Sequence, residues 1–256
     1  MRMKQLSNKR KKNKSFQHLT TIICLCIFCF SLYQLTKIYF EYRGNSQALA
    51  EIQEIYLPET EMQEQNKEQV VRQSFQPLLE INQEIVGWIT IDQTKIDYPI
   101  LQAENNEYYL DRNYRHEKTR AGSLFMDYRN DVQGSDKHTI IYGHRMKDGS
   151  MFGQISKFLD QSFLDEHPSF YFDTLYEGYE AEIFSVYETT TDFYYIETDF
   201  SDDQVYQSFI DEIKNRSVVQ TNIDVGMDDQ IITLSTCDNW RSNGRLVMHA
   251  KLSKTS

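Results

Sequence analysis

The polar and apolar positions change period along the chain, and the changes divide it. From Ser15 to Thr36 there is no Asp, Glu, Lys or Arg, and Ile22-Ile23-Cys24-Leu25-Cys26-Ile27-Phe28-Cys29-Phe30 is apolar throughout. About 20 such residues span a bilayer as a helix. Residues 41–80 are rich in Glu and Gln, with Ile52, Ile55 and Val70-Val71 at helical spacing. Pro58 separates two helical stretches there and Pro77 is expected to stop or kink the second. From Gly87 the period falls to two, the mark of strands. Strands are predicted at 88–91, 96–101, 123–126, 138–142, 170–172, 180–187, 230–236 and 245–252. One helix interrupts near Asp202–Arg216, with Val205, Phe209, Ile210 and Ile213 on one face and Ser201 as its cap. Many short strands and few helices predict a mainly β chain closed into an antiparallel barrel.

Charge explains the apolar segment. The net charge is −11, yet the first 14 residues hold seven Lys or Arg and no acid. Lys9-Arg10-Lys11-Lys12 beside an apolar stretch predicts a cytoplasmic N-terminus and an uncleaved anchor, with the rest of the chain outside. A cleaved signal peptide is the competing reading, with Ala48-Leu49-Ala50 as its cleavage site. The acidic body repels phosphate backbones and argues against nucleic acid as a partner. The division expected is a basic tail over 1–14, an anchor over 15–36, a helical stalk over 37–74 and a catalytic domain over 75–256.

Three of the four Cys lie in the apolar segment, which leaves Cys237 alone in the exported part. No disulfide within that part and no CxxC metal pair is possible, and a lone exported thiol asks for a reason. Asp127, Asp131 and Asp136 lack the EF-hand spacing, and no metal or cofactor is expected. Face by face, Ile231, Thr233, Ser235 and Cys237 share one side of their strand, and Arg245, Val247 and His249 share one side of the next. The step from Cys237 to Arg245 suits a hairpin-like connection, which sets a thiol beside a guanidinium that cannot lose its proton. A cysteine nucleophile also needs a proton donor for its leaving group. Spacing keeps His249 in play, and His144 is favoured because it follows a strand end, where catalytic loops begin.

Thr233-Leu234-Ser235-Thr236-Cys237 followed by Arg245-Leu246-Val247 resembles the TLxTC…R signature of sortases, and Ile141-Tyr142-Gly143-His144 resembles their histidine element. Ile85-Val86-Gly87-Trp88-Ile89, Ile96-Asp97-Tyr98-Pro99-Ile100, Asn106-Glu107-Tyr108-Tyr109-Leu110 and Gly122-Ser123-Leu124-Phe125-Met126-Asp127, with the helix near 202–216, are similar to class B members. The likeness runs from about residue 75 to the C-terminus.

It implies an eight-stranded sortase-type β-barrel with N-terminal helices and one helix before the nucleophile strand. It implies a membrane-anchored cysteine transpeptidase of Gram-positive bacteria, of the cysteine-peptidase class of hydrolases. Such an enzyme cleaves a sorting motif near a secreted protein's C-terminus after Thr and passes the acyl group to an amine of a peptidoglycan precursor. Class B members often prefer Asn-Pro-x-Thr-type motifs to Leu-Pro-x-Thr-Gly. By the resemblance Cys237 is the nucleophile, His144 the proton carrier and Arg245 the holder of the oxyanion. The groove is implied to involve Asn106, Leu110 and Tyr142 on one wall, Thr191, Tyr195 and Ile196 on the segment before the helix, and Ser235 and Asp238 beside the thiol. Polymerising pilins through a lysine amine, or plain peptide hydrolysis, are the alternatives.

Overall fold

The computed structural model describes residues 2–56, 71–238 and 243–255, with the backbone alone for 2–15, 237 and 238. Pro58 and most of the loop after the nucleophile strand lie outside the described residues. Contacts divide the chain into Met1–Ser46 and Gln47–Ser256.

The first unit is helical, the larger part of α1 (Arg2–Ile55). Leu19, Ile22, Ile23, Leu25, Ile27, Phe28 and Phe30 are all more than half exposed, a surface suited to lipid and not to water. Thr20 and Thr21 turn their hydroxyls back to the Phe16 and Gln17 carbonyls at 2.8 and 2.9 Å, so they bring no unpaired polar group to that surface. From Phe16 the helix is long and apolar enough to cross a membrane, which together with its family supports membrane association.

The second unit is an eight-stranded barrel with helical layers outside it. Its elements are α2 (Gln76–Ile81), β1 (Ile85–Thr90), β2 (Asp97–Leu101), β3 (Leu124–Met126), β4 (His138–Gly143), α3 (Gln161–Glu166), β5 (Ser169–Thr174), β6 (Gly178–Thr190), α4 (Asp203–Asn215), β7 (Ile231–Asp238) and β8 (Gly244–Lys254). The sheet closes in the order β1-β2-β3-β4-β7-β8-β6-β5. Every predicted strand is present, but the barrel is mixed. β2 pairs with β3, and β4 with β7, in parallel. The physical reason is the length of the connections, since 102–123 and 144–230 are long enough for the crossovers that parallel neighbours need.

Alternation along the strands sends Ile89, Ile100, Leu124, Ile141, Ile183, Ile232, Leu234, Leu246 and Met248 into one buried core. Two outer layers cover the barrel. In one, Ala48, Ile52 and Tyr56 join Phe75 and Leu78 over Trp88, Leu101 and Phe125, and the Tyr56 ring stacks on Trp88 at 4.2 Å. The other is the apolar face of α4, with Tyr206, Ile210 and Ile213 lying against Phe184, Tyr187, Ile231 and Val247. Pro77 does not stop a helix. It sits in the first turn of α2, where its missing N–H is one the helix leaves unpaired anyway. Asp202, not Ser201, caps α4 and accepts the Val205 amide at 2.9 Å. A carboxylate at that end also meets the positive pole of the helix. A 3-10 segment over Phe152–Leu159 and α3 also went unread in the sequence.

Under α4, His138 and His249 are fully buried. Burial pushes the His138 imidazole down to about 4 and His249 well below its ordinary value. Both are therefore neutral in the fold, whereas the unfolded chain takes up protons near pH 6.5. Stability is expected to fall as the pH drops from about 6.5 towards 4, by about 3 kcal/mol from His138 alone, with His249 adding in the same direction. Urea unfolding of the detergent-solubilised chain across that window checks this, and a flat dependence would contradict it.

Candidate active site

β4, β7 and β8 lie side by side and end at the same rim of the barrel. Register puts Cys237 directly opposite Arg245 on the β7–β8 ladder and Gly143, the residue before His144, beside Thr236 on the β4–β7 ladder. Three distant stretches of sequence thus converge within three adjacent strands. A cavity of about 310 Å³ opens there, and Asn106, Leu110, Tyr142, His144, Thr191, Tyr195, Ile196, Ser235 and Arg245 all line it. The side chains of Cys237 and Asp238 lie outside the described residues. His249 is not in the cavity. It is buried beneath α4, bonded to Thr233 and Tyr187, so of the two histidines in play only His144 faces the site.

Gly143 lets β4 deliver His144 to this rim, because a Cβ there would lie 2.3 Å from the Leu124 side chain and 2.7 Å from that of Phe152. His144 Nε2 lies 2.7 Å from the Leu110 carbonyl oxygen. A carbonyl only accepts, so Nε2 carries the hydrogen and Nδ1 is the nitrogen left for proton traffic. Leu110 ends a 3-10 turn, Tyr108–Leu110, and its carbonyl is set by an unusual neighbour. Gly122 has φ +57°, and a Cβ there would come within 2.6 Å of the carbonyl oxygens of Leu110 and Tyr109. Gly122→Ala is therefore expected to displace the carbonyl that holds His144 and to lower kcat about tenfold with little change in KM. Gly134→Ala, at another positive φ but meeting only the Tyr179 hydroxyl at 3.3 Å, is the control expected to leave kcat unchanged.

Arg245 Nη1 donates to the Gly244 carbonyl at 2.8 Å, which steadies the guanidinium beside the cavity. Ser235 is buried, and its hydroxyl lies 2.7 Å from that of Tyr195, tying the wall before α4 to the nucleophile strand. The opposite wall is organised by Asp127, whose side chain is wholly buried. Its carboxylate accepts from the Arg129 Nε and Nη2 at 2.8 Å each, the Tyr142 hydroxyl at 2.8 Å and the Asn106 amide at 3.0 Å. Burial pushes this carboxyl up, but the bonds from Arg129 and Tyr142 outweigh it and hold it below the usual range. Tyr142 moves the other way, raised by burial and by Asp127.

Sequence reasoning missed Phe125, Phe193 and Tyr194 in the lining and read Asp127 only as a scattered acid. Its signal was there in the Gly122–Asp127 match. Among the described residues no group of three or more His, Cys, Asp or Glu is placed to hold a metal. Asp136 is instead engaged by Asn130 and by the Asp131 amide.

The sortase-domain signature matches residues 89–253. The chain belongs to the sortase family. Its relatives place this sortase in class B. It is 45% identical over 234 residues to sortase B of Listeria monocytogenes, covering 91% of this chain and 94% of that one. A crystal structure of sortase B from Bacillus anthracis is similar at 54% identity and a TM-score of 0.77, over 85% of this chain and 100% of that one. A Staphylococcus aureus sortase B–substrate complex is similar at 37% identity and a TM-score of 0.77, again over 85% and 100%. The closed mixed barrel is the fold of these class B transpeptidases.

Proposed function

We propose that this sortase cuts a C-terminal sorting signal after Thr and transfers the protein to an amine of a cell-wall precursor, with Cys237, His144 and Arg245 as its catalytic residues. The observation that carries the reading is the β7–β8 register, which pairs Cys237 with Arg245, beside a cavity that His144 also lines. Cross-strand partners share a face of the sheet. In the first half-reaction the Cys237 sulfur bonds to the Thr carbonyl carbon, and the oxyanion formed is held by the Arg245 guanidinium. The C–N bond then breaks as His144 Nδ1 gives a proton to the leaving amine. In the second half Nδ1 takes a proton from the incoming amine, which attacks the thioester and frees the thiolate. That a related enzyme was solved as a sortase B–substrate complex supports a peptide occupant for the cavity, with Asn106, Leu110, Tyr142, Thr191, Tyr195, Ile196, Ser235 and Asp238 as its contacts.

The cytoplasmic tail, single span and outward catalytic domain belong to the same proposal, supported by the basic flank and the apolar helix, as does the division at residues 14, 36 and 74. The test is to incubate the chain with Asn-Pro-x-Thr and Leu-Pro-x-Thr-Gly peptides and either a glycine-type amine or a pilin lysine peptide. A ligated product with the glycine-type amine supports the proposal. Ligation to the lysine alone would make this a pilin polymerase, and hydrolysis unaffected by any amine would make it a plain peptidase.

A further inference from the structure

The cavity wall formed by Tyr194, Tyr195 and Ile196 belongs to a stretch, 194–200, with no regular secondary structure. A wall of bare loop would not keep a groove at one width, so its anchors matter. Two consecutive carbonyls of this loop are held from outside it. The Ile196 carbonyl accepts from Arg129 Nη2 at 2.8 Å, and the Glu197 carbonyl lies 2.6 Å from His138 Nδ1. Neither Arg129 nor His138 lines the cavity.

Each anchor is itself fixed. Arg129 grips the buried Asp127 through two nitrogens and reaches the Tyr194 hydroxyl at 3.1 Å. Asp127 also holds Asn106 and Tyr142, so one carboxylate ties both walls together. His138 begins a buried line of hydrogen bonds: Nε2 is 2.6 Å from the Thr233 hydroxyl, which is 2.6 Å from His249 Nδ1, and His249 Nε2 is 2.8 Å from the Tyr187 hydroxyl. The direction of the whole line follows from one end. The Glu197 carbonyl can only accept, so His138 donates from Nδ1 and, being neutral, accepts at Nε2 from Thr233. Thr233 then accepts from His249 Nδ1, and His249 accepts at Nε2 from Tyr187. Every donor and acceptor has one place, which leaves the Glu197 carbonyl a single position against β7.

We propose that Arg129 and His138 are positioning residues that set the width of the substrate groove by pinning the Ile196 and Glu197 carbonyls. The inference rests on the reading of this cavity as a peptide groove. The two clamps act on the loop from opposite sides, one from the partly exposed rim and one from the buried layer under α4, and loss of either frees the wall without touching the thiol.

The test uses the full chain in detergent with Arg129→Gln, His138→Gln and His138→Asn. Asparagine carries a donor near the place of Nδ1, whereas glutamine reaches towards Nε2. Arg129→Gln and His138→Gln are expected to raise the sorting-peptide KM about tenfold with kcat nearly kept, and His138→Asn to stay near the wild-type KM. Alkylation of Cys237 by iodoacetamide should run at the wild-type rate in all three. Hydrogen exchange at the Thr198 and Asp199 amides, which bond the Glu197 carboxylate at 3.1 and 3.3 Å, should quicken in the two glutamine variants. Unchanged KM in both, or equal losses in kcat and in alkylation, overturns the inference. If the wild-type chain turns over no sorting peptide, the peptide-groove reading fails. The clamp is then judged by exchange alone: faster exchange in the glutamine variants supports it and wild-type protection overturns it.

Discussion

His144→Ala is expected to lower kcat by about 10³–10⁴-fold, near the upper end of what one acid–base group supplies. The magnitude follows from the leaving group. An amine expelled from a tetrahedral intermediate must carry a proton, and His144 is the only imidazole lining the cavity among the described residues. Its Nε2–H is committed to the Leu110 carbonyl, so Nδ1 is held ready for both half-reactions without a search over tautomers. An ester in place of the scissile amide leaves as a far better leaving group and should recover much of the loss. Steady-state kinetics with matched amide and ester peptides measures this. A variant that processes the amide at the wild-type rate would remove His144 from the mechanism.

Arg245→Lys should cost about 10²–10³-fold in kcat/KM, the usual loss when one oxyanion donor is removed. The substitution keeps the positive charge, which separates charge from geometry. The guanidinium spends Nη1 on the Gly244 carbonyl and still has nitrogens to offer an oxyanion, because its donors form a fixed fork. A lysine ammonium at the same position is a single point on a flexible stem and cannot serve both. Fluorescence-quenched sorting peptides give the ratio directly. If the Arg245→Lys variant kept full activity, the charge alone would suffice and the fork would not matter.

Much of this was legible in the chain. Alternation gave all eight strands because each is buried on the barrel side, and burial is what writes a period of two into sequence. The face reading of Thr233, Ser235 and Cys237 against Ile232 and Leu234 holds for the described side chains, with the latter two in the barrel core and Thr233 and Ser235 outside it. Pairing was not legible. Whether β4 meets β7 in parallel depends on how a long connection returns, and no local pattern records it. The wall residues were readable only through a family likeness, whereas Asp127, Arg129 and His138 gave no local sign of their role. An acid two residues before an arginine is ordinary, and only the fold reveals that this one is wholly buried with four side-chain bonds converging on it. The helical residues 47–56 were read as stalk, yet Ile52 and Tyr56 are buried in the layer over Trp88, because a Gln-rich helix shows too few apolar positions to announce the face it buries.

The most direct measurement is the mass of the protein after brief mixing with a sorting peptide and no acceptor amine. The account predicts a gain equal to the peptide acyl group ending at Thr, mapped to Cys237, discharged by added amine and absent in Cys237→Ala. A wild-type chain that cleaves the peptide without carrying that acyl group, or carries it on another residue, would contradict it.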